Sequence, residues 1–227
     1  MVKYIPNFLT LCNLACGCYG TLAVFSGDLV LGSIMIWAGA IFDFLDGFAA
    51  RMLNKYSSIG KDLDSLADLI TFCFLPASIL FVLIGKNAEF QWLPYAGFLV
   101  VIFGALRLAK FNTDTRQSEH FYGLPVPAVG MFISAFPFIS SESNTILHGL
   151  FISPVSLSAI AVLLSAMMVS NIKLISLKFT NFSFAANWHR YFIIISALIL
   201  LIFLHVVAFP IIILIYVVFS AALNIKE

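Results

Sequence analysis

Charge is what this sequence has least of. Asp, Glu, Lys and Arg make up 10% of its 227 residues, against 62% hydrophobic, where soluble domains carry about 25% charge and roughly 45–50% apolar residues. That excludes a water-soluble globule, and 24 phenylalanines beside so little charge exclude an intrinsically disordered chain. The four cysteines, Cys12, Cys16, Cys18 and Cys73, lie in apolar stretches without a CxxC pair, which argues against a zinc knuckle or a disulfide framework and for small packing residues. The four histidines, His120, His148, His189 and His205, are scattered and suggest no metal site. No P-loop, no GxGxxG, no internal repeat and no low-complexity tract occurs. A net charge of +1 gives no reason to expect a nucleic-acid partner.

What the chain has in quantity is apolar length. A membrane-spanning helix needs about 20 apolar residues, so eight would use about 160 and leave only short loops. Apolar runs predict helices near 8–26, 30–52, 62–84, 93–111, 125–140, 150–170, 190–206 and 209–224, the last two separated only by His205 and Pro210. The reading is an all-α, polytopic transmembrane bundle of eight spans, forming one integral-membrane domain over 1–227. The first apolar run follows a single lysine and shows no small-residue cleavage site, so it is expected to be retained. Placing the N-terminus inside puts Lys3, Arg51, Lys55, Lys61, Arg107, Lys110, Arg116, Lys173, Lys178, Arg190 and Lys226 on the cytoplasmic side, leaving only Lys86 outside. That bias, 11 of 12, predicts an N-in, C-in protein.

The acidic residues are clustered. Five of the 11 lie between positions 43 and 68: Asp43, Asp46, Asp62, Asp64 and Asp68. An aspartate at a helix centre costs about 2.5–3.5 kcal/mol on insertion scales, less near the interface. Asp43 and Asp46 are i and i+3 on the second span, with Ala50 continuing the stripe; Asp64 and Asp68 are i and i+4 on the third. Residues so spaced share a helix face, and a short loop makes the two helices antiparallel, so both pairs can converge at one membrane level. Four gathered carboxylates repel unless a cation joins them. Hard oxygen ligands suit Mg²⁺ or Mn²⁺, and two helices giving two carboxylates each suit a pair of ions. The bland alternative is interfacial ion pairing with Arg51, Lys55 or Lys61, where three cations would face four acids. Asp62 lies off the shared face and could cap the third helix.

Gly47 follows Asp46, and Gly60 precedes Asp64 by four residues. Glycine inside a helix costs about 1 kcal/mol against alanine, and is compensated by close approach of a ligand or a neighbouring helix. Arg51 offers a forked donor pair for phosphate oxygens. The start of the third span, near Ser57–Lys61, turns free backbone N–H groups toward an anion. The set suits a diphosphate.

Written as a pattern, the segment is Asp43-x2-Asp46-Gly47-x2-Ala50-Arg51-x8-Gly60-x3-Asp64-x3-Asp68, eight specified residues over 26 positions. It resembles, without a gap or substitution, the signature of the CDP-alcohol phosphatidyltransferases. Three further segments resemble that family's phosphatidylserine synthase branch: Ile5-Pro6-Asn7-Phe8-Leu9-Thr10 with Asn13, Arg107-Leu108-Ala109-Lys110-Phe111-Asn112, and Gly123-Leu124-Pro125-Val126-Pro127-Ala128. The likeness spans about the first 140 residues.

The resemblance implies transfer of the phosphatidyl group of CDP-diacylglycerol to the hydroxyl of L-serine, with release of CMP. It implies that Asp43, Asp46, Asp64 and Asp68 hold two divalent ions and that Asp68 also deprotonates the alcohol. Gly47, Ala50, Arg51, Ser57 and Gly60 would contact the CDP-lipid, with Pro6, Asn7 and Thr10 closing over it. Apolar grooves would hold the lipid chains, and a homodimer in the cell membrane, with its active site facing the cytoplasm, is expected. For the serine pocket, Arg107 and Lys110 could hold a carboxylate, and Asn112 or Asn13 could donate hydrogen bonds. Alternatively, Arg107 and Lys110 are positive anchors that snorkel to lipid phosphates. Gly123-Leu-Pro-Val-Pro reads as a turn that starts a helix. Two other functions compete: the same chemistry with glycerol phosphate, inositol phosphate or an archaetidyl ether lipid, and a divalent-cation transporter with acids lining its path.

Overall fold

The computed structural model describes residues 5–53, 58–113, 121–141, 151–175 and 184–224. Helix α1 covers Ile5–Phe25 and α2 covers Leu29–Met52. Between them Gly27 takes a positive φ of 97°, and Asp28 caps α2 by accepting from the Leu31 N–H at 2.8 Å. The third helical run is α3, Ser58–Asp68, a π-helical stretch Leu69–Phe74, and α4, Leu75–Gly85. A 3₁₀ turn at Leu93–Phe98 leads into α5, Leu99–Thr113. Then come β1 (Phe121–Tyr122), α6 (Val126–Ile133), α7 (Phe136–Ser141), α8 (Pro154–Val169), β2 (Lys173–Leu174), α9 (Phe184–Leu204), a 3₁₀ turn at His205–Val207, and α10 (Ala208–Asn224).

The expected apolar runs therefore appear as helices, with three differences. The third begins at Ser58, so Asp62 lies exposed in the body of α3 and does not cap it. The fifth is broken at Ser134 and Ala135, where the Trp37 indole N–H of α2 donates to Ser134 Oγ at 2.8 Å. The all-α expectation omits one short antiparallel pairing, Phe121 with Leu174 and Tyr122 with Lys173. Beside it Gly123 turns with φ 74°, and a Cβ there would sit 2.4 Å from the Met168 carbonyl oxygen, so only glycine fits. Pro125 and Pro127 then start α6, as the turn reading expects.

Among the described residues, five helical runs are long and apolar enough to cross a membrane: Ile5–Phe25, Leu29–Met52, Ile59–Gly85, Leu93–Thr113 and Asn187–Leu223. The last is 37 residues, about 55 Å at 1.5 Å per residue, far more than one crossing of a core about 30 Å thick. It is divided at His205, whose φ of 48° ends α9 in the left-handed conformation. The runs Val126–Ser141 and Pro154–Val169 are apolar but shorter. Of the eight expected spans, four thus lie in single runs that meet the length requirement, the last two share the divided 37-residue run, and two correspond to the shorter apolar helices.

The third run is the centre of the molecule: 72% of its most apolar window is buried, against 39% or less in the other four. Its π-helical stretch has a covalent cause. Pro76 lacks an N–H and would clash with the carbonyl four residues back, and the strained turn opens to i→i+5 bonding, with the Leu75 N–H donating to the Ile70 carbonyl. The neighbours accept this wider turn by losing side chains. A Cβ on Gly17 of α1 would fall 2.5 Å from Thr71 Oγ1 and 2.9 Å from Thr71 Cα; one on Gly39 of α2, 2.4 Å from Thr71 Cγ2; one on Gly104 of α5, 2.4 Å from Cys73 Sγ. Three helices close onto the residues just after Asp68.

Filling one of these notches overpacks the centre, at a cost of about 1–3 kcal/mol. Gly17→Ala lowers the melting temperature of the detergent-solubilised protein, because the clash is with backbone. Gly85→Ala, where the nearest atom to the new Cβ is 3.7 Å away, leaves it unchanged or slightly higher. Differential scanning fluorimetry of the two variants checks the contrast.

Candidate active site at the aspartate cluster

Helix α2 carries Asp43 and Asp46 three residues apart, and α3 carries Asp64 and Asp68 four apart, so each helix turns its pair to one side. Where the two helices meet, one carboxylate oxygen from each of Asp43, Asp64 and Asp68 lies within 4.8 Å of the others. Asp43 and Asp64 are half-buried and Asp68 is buried. Asp46, the fourth expected member, is buried and falls outside this set; its Oδ2 accepts from the Thr10 hydroxyl of α1 at 2.6 Å. Thr10 Oγ also lies 3.0 Å from the Pro6 carbonyl, but its single proton makes the stronger bond to the charged carboxylate.

Ion pairing does not hold the cluster together among the described residues. Arg51 is exposed and its Nε donates to the carbonyl of Gly47 at 2.9 Å. Lys61 Nζ donates to the carbonyl of Asn112 at 2.8 Å, closing the C-terminal end of α5. Lys55 and Ser57 lie outside the described residues. Three neighbouring carboxylates, with Arg107 alone among the described cations in electrostatic reach of one of them, make a set of hard oxygen donors with net negative charge, which fits a divalent cation of the Mg²⁺ or Mn²⁺ kind.

The other expected residues divide. Pro6 is buried and Asn7 half-buried on the same turn of α1 as Thr10. Gly47, Ala50 and Arg51 continue the acidic face of α2 by one to two turns. Gly47 is unlike the packing glycines: only Arg51 Nη2, at 3.9 Å, comes within 4 Å of where its Cβ would be. Its missing side chain serves no helix contact and leaves room beside the Arg51 guanidinium. Gly60 is half-buried in the first turn of α3.

The four residues expected around an acceptor also separate. Arg107 is 8% exposed, its Nε is buried without a hydrogen-bond partner, and Asp68 and Cys73 are within its electrostatic reach. Its guanidinium carbon sits 5.7 Å from the Phe111 ring centroid. A buried guanidinium is no snorkelling anchor. Lys110, one turn on, is exposed and remains suited to that role. Asn112 donates through Nδ2 to Ser65 Oγ at 2.8 Å, fastening α5 to α3. Asn13 donates through Nδ2 to Asp68 Oδ1 at 3.2 Å.

One contributor went unread in the sequence: Thr71 Oγ1 donates to the backbone carbonyl of Asn13 at 2.9 Å. Cys73, read as a small packing residue, packs at Gly104 within electrostatic reach of Asp68 and Arg107. Asn13, three residues after Thr10 and on the same face of α1, was expected in the serine pocket; its bond to Asp68 was not.

The family model for CDP-alcohol phosphatidyltransferases matches residues 3–171, from the start of α1 to just past α8. A CDP-diacylglycerol–serine O-phosphatidyltransferase of Bacillus subtilis is 34% identical over 141 residues, covering 60% of this chain and 77% of the relative. The Helicobacter pylori (strain 26695) protein of the same name is 34% identical over 175 residues, 74% of this chain and 70% of its own. An archaetidylserine synthase of Methanothermobacter thermautotrophicus is 31% identical over 172 residues, 74% of this chain and 68% of its own. With the signature intact on α2 and α3, and three of its four aspartates gathered at one point, the chain belongs to the CDP-alcohol phosphatidyltransferase family.

Proposed function

We propose that this protein transfers the phosphatidyl group of CDP-diacylglycerol to the hydroxyl of L-serine, giving phosphatidylserine and CMP. The observation that carries the reading is the meeting of Asp43, Asp64 and Asp68 on the family signature. The choice of acceptor is supported by the names of the relatives, which differ in lipid and agree on serine.

In this reading Asp43, Asp46, Asp64 and Asp68 hold two divalent ions, Mg²⁺ or Mn²⁺, that neutralise the diphosphate and ease departure of CMP. Arg51, with Nε fixed on Gly47, turns its remaining donors to a phosphate oxygen in the room beside Gly47. Ala50, Ser57 and Gly60 line the nucleotide half, with Pro6, Asn7 and Thr10 on the other side. The serine oxygen attacks the phosphorus that bears diacylglycerol, the bond from that phosphorus to CMP breaks with its electron pair leaving on CMP, and Asp68 takes the hydroxyl proton. Arg107 is the group best placed for the serine carboxylate, since it is buried and cationic, lies within electrostatic reach of Asp68, and has an Nε without a hydrogen-bond partner among the described residues. Asn13 and Asn112 are engaged elsewhere.

The Lys/Arg bias supports eight crossings with both termini inside and the site facing the cytoplasm; a place in the cell membrane and a homodimer are what the family resemblance implies. A cation pathway would need acids spread across the membrane. Among the described residues the buried and half-buried ones gather on α2 and α3.

Purified protein supplied with Mn²⁺ and CDP-diacylglycerol releases CMP with L-serine and not with glycerol phosphate or inositol phosphate; chelation abolishes release and added Mn²⁺ restores it. Release with another acceptor overturns the choice of serine. Arg107→Gln raises the KM for serine by about tenfold or more, in line with loss of a charged hydrogen bond of about 1.5–3 kcal/mol, while the KM for the CDP-lipid is little changed. Steady-state kinetics with both substrates varied reads the difference.

A further inference from the structure

Asn13 is fully buried on α1, and each of its polar contacts leads to the segment around Asp68. Its Nδ2 donates to Asp68 Oδ1 at 3.2 Å, and its backbone carbonyl accepts from Thr71, three residues beyond Asp68, at 2.9 Å. Its own Oδ1 has no donor among the described residues and rests against α2, where a Cβ on Gly39 would come within 2.9 Å of it. The amide is therefore clamped on both sides. Gly17 and Gly39 let the helices close around Thr71, Thr71 holds the Asn13 backbone, and the side chain meets Asp68 with a donor.

A carboxylate that accepts an amide N–H on one oxygen is fixed in rotation. The amide occupies one lone pair of Oδ1 and holds the plane of the carboxylate, which leaves Oδ2 as the oxygen without a protein donor among the described residues. We propose that Asn13 is a positioning residue for the transfer: its amide pins Asp68 by Oδ1 and leaves Oδ2 as the atom that receives the proton of the acceptor hydroxyl. The inference rests on the reaction proposed above. In that reaction the acceptor O–H bond breaks, the new O–P bond forms, the P–O bond to CMP breaks with its electrons on CMP, and the proton ends on Asp68 Oδ2. It also moves Asn13 out of the serine pocket, where sequence alone had set it.

The test is a double-mutant cycle on CMP release, with CDP-diacylglycerol binding and melting temperature measured on every variant. Asn13→Ala lowers kcat about 10- to 100-fold, as loss of a hydrogen bond to a charged group does. Both KM values and CDP-lipid binding stay within about threefold. Asp68→Asn loses turnover, and adding Asn13→Ala to it causes no further loss, because the amide acts only through that carboxylate. Should Asn13→Ala fail to fold, Asn13→Leu keeps the site filled, removes the donor without adding a charge and serves the same cycle. Equal losses in both backgrounds, or a rise confined to the KM for serine, overturn the positioning role. Near-normal turnover of Asp68→Asn instead overturns the reading of Asp68 as base, so the two failures are distinguishable.

Discussion

Three carboxylates brought within 4.8 Å of one another in the interior of a membrane protein repel, and each loses hydration that an apolar surrounding does not replace. Such a set persists only if the backbone beneath it is held firmly and if opposite charge arrives from elsewhere. The described residues supply the first condition. Arg51 and Lys61, the nearby cations on the same helices, are turned onto backbone carbonyls, and Arg107 of α5 is one cation near three acids, which leaves most of the second condition to ligands.

The firmness comes from backbone close to backbone. Pro76 opens the helix after Asp68 into a wider turn, and glycines on α1, α2 and α5 give up side chains so that three helices reach that turn. Polar contacts then act over short distances: Thr71 to the Asn13 backbone, Asn13 to Asp68, Thr10 to Asp46. On the far side Asn112 and Lys61 tie α5 to α3, which keeps Arg107 near Asp68. The most buried run of the protein is thus also the one that carries half of its acidic signature, so packing energy is directed to holding the carboxylates in register.

Much of this was legible beforehand, because the periodicities involved are local. Apolar runs mark helices wherever hydrocarbon is the solvent, and the i+3 and i+4 spacings place Asp43, Asp46, Asp64 and Asp68 on facing sides without knowledge of the fold. The His205 break was legible too, from one polar residue and one proline. What was not legible depends on contacts between residues far apart in the chain. Asn13 and Asp68 are 55 positions apart, and nothing in either neighbourhood announces that they meet. Asn112 reads equally well as a ligand donor or a strut until Ser65 is seen beside it. Asp46 looks equivalent to Asp43 until Thr10 claims it. The π-helical turn had a sequence cause in Pro76, but a proline inside an apolar run predicts a kink without saying which way the register moves.

The central claim is that the Asp43, Asp64 and Asp68 carboxylates are a receptor for divalent ions rather than a structural acid cluster. Crystals of the protein grown with MnCl₂ and a CDP-lipid, measured at the manganese absorption edge, test it most directly. The account predicts anomalous density among these three side chains, with a second peak bridging toward Asp46. Anomalous peaks confined to the surface, with the three carboxylates still gathered and protein side chains as their only partners, would contradict it.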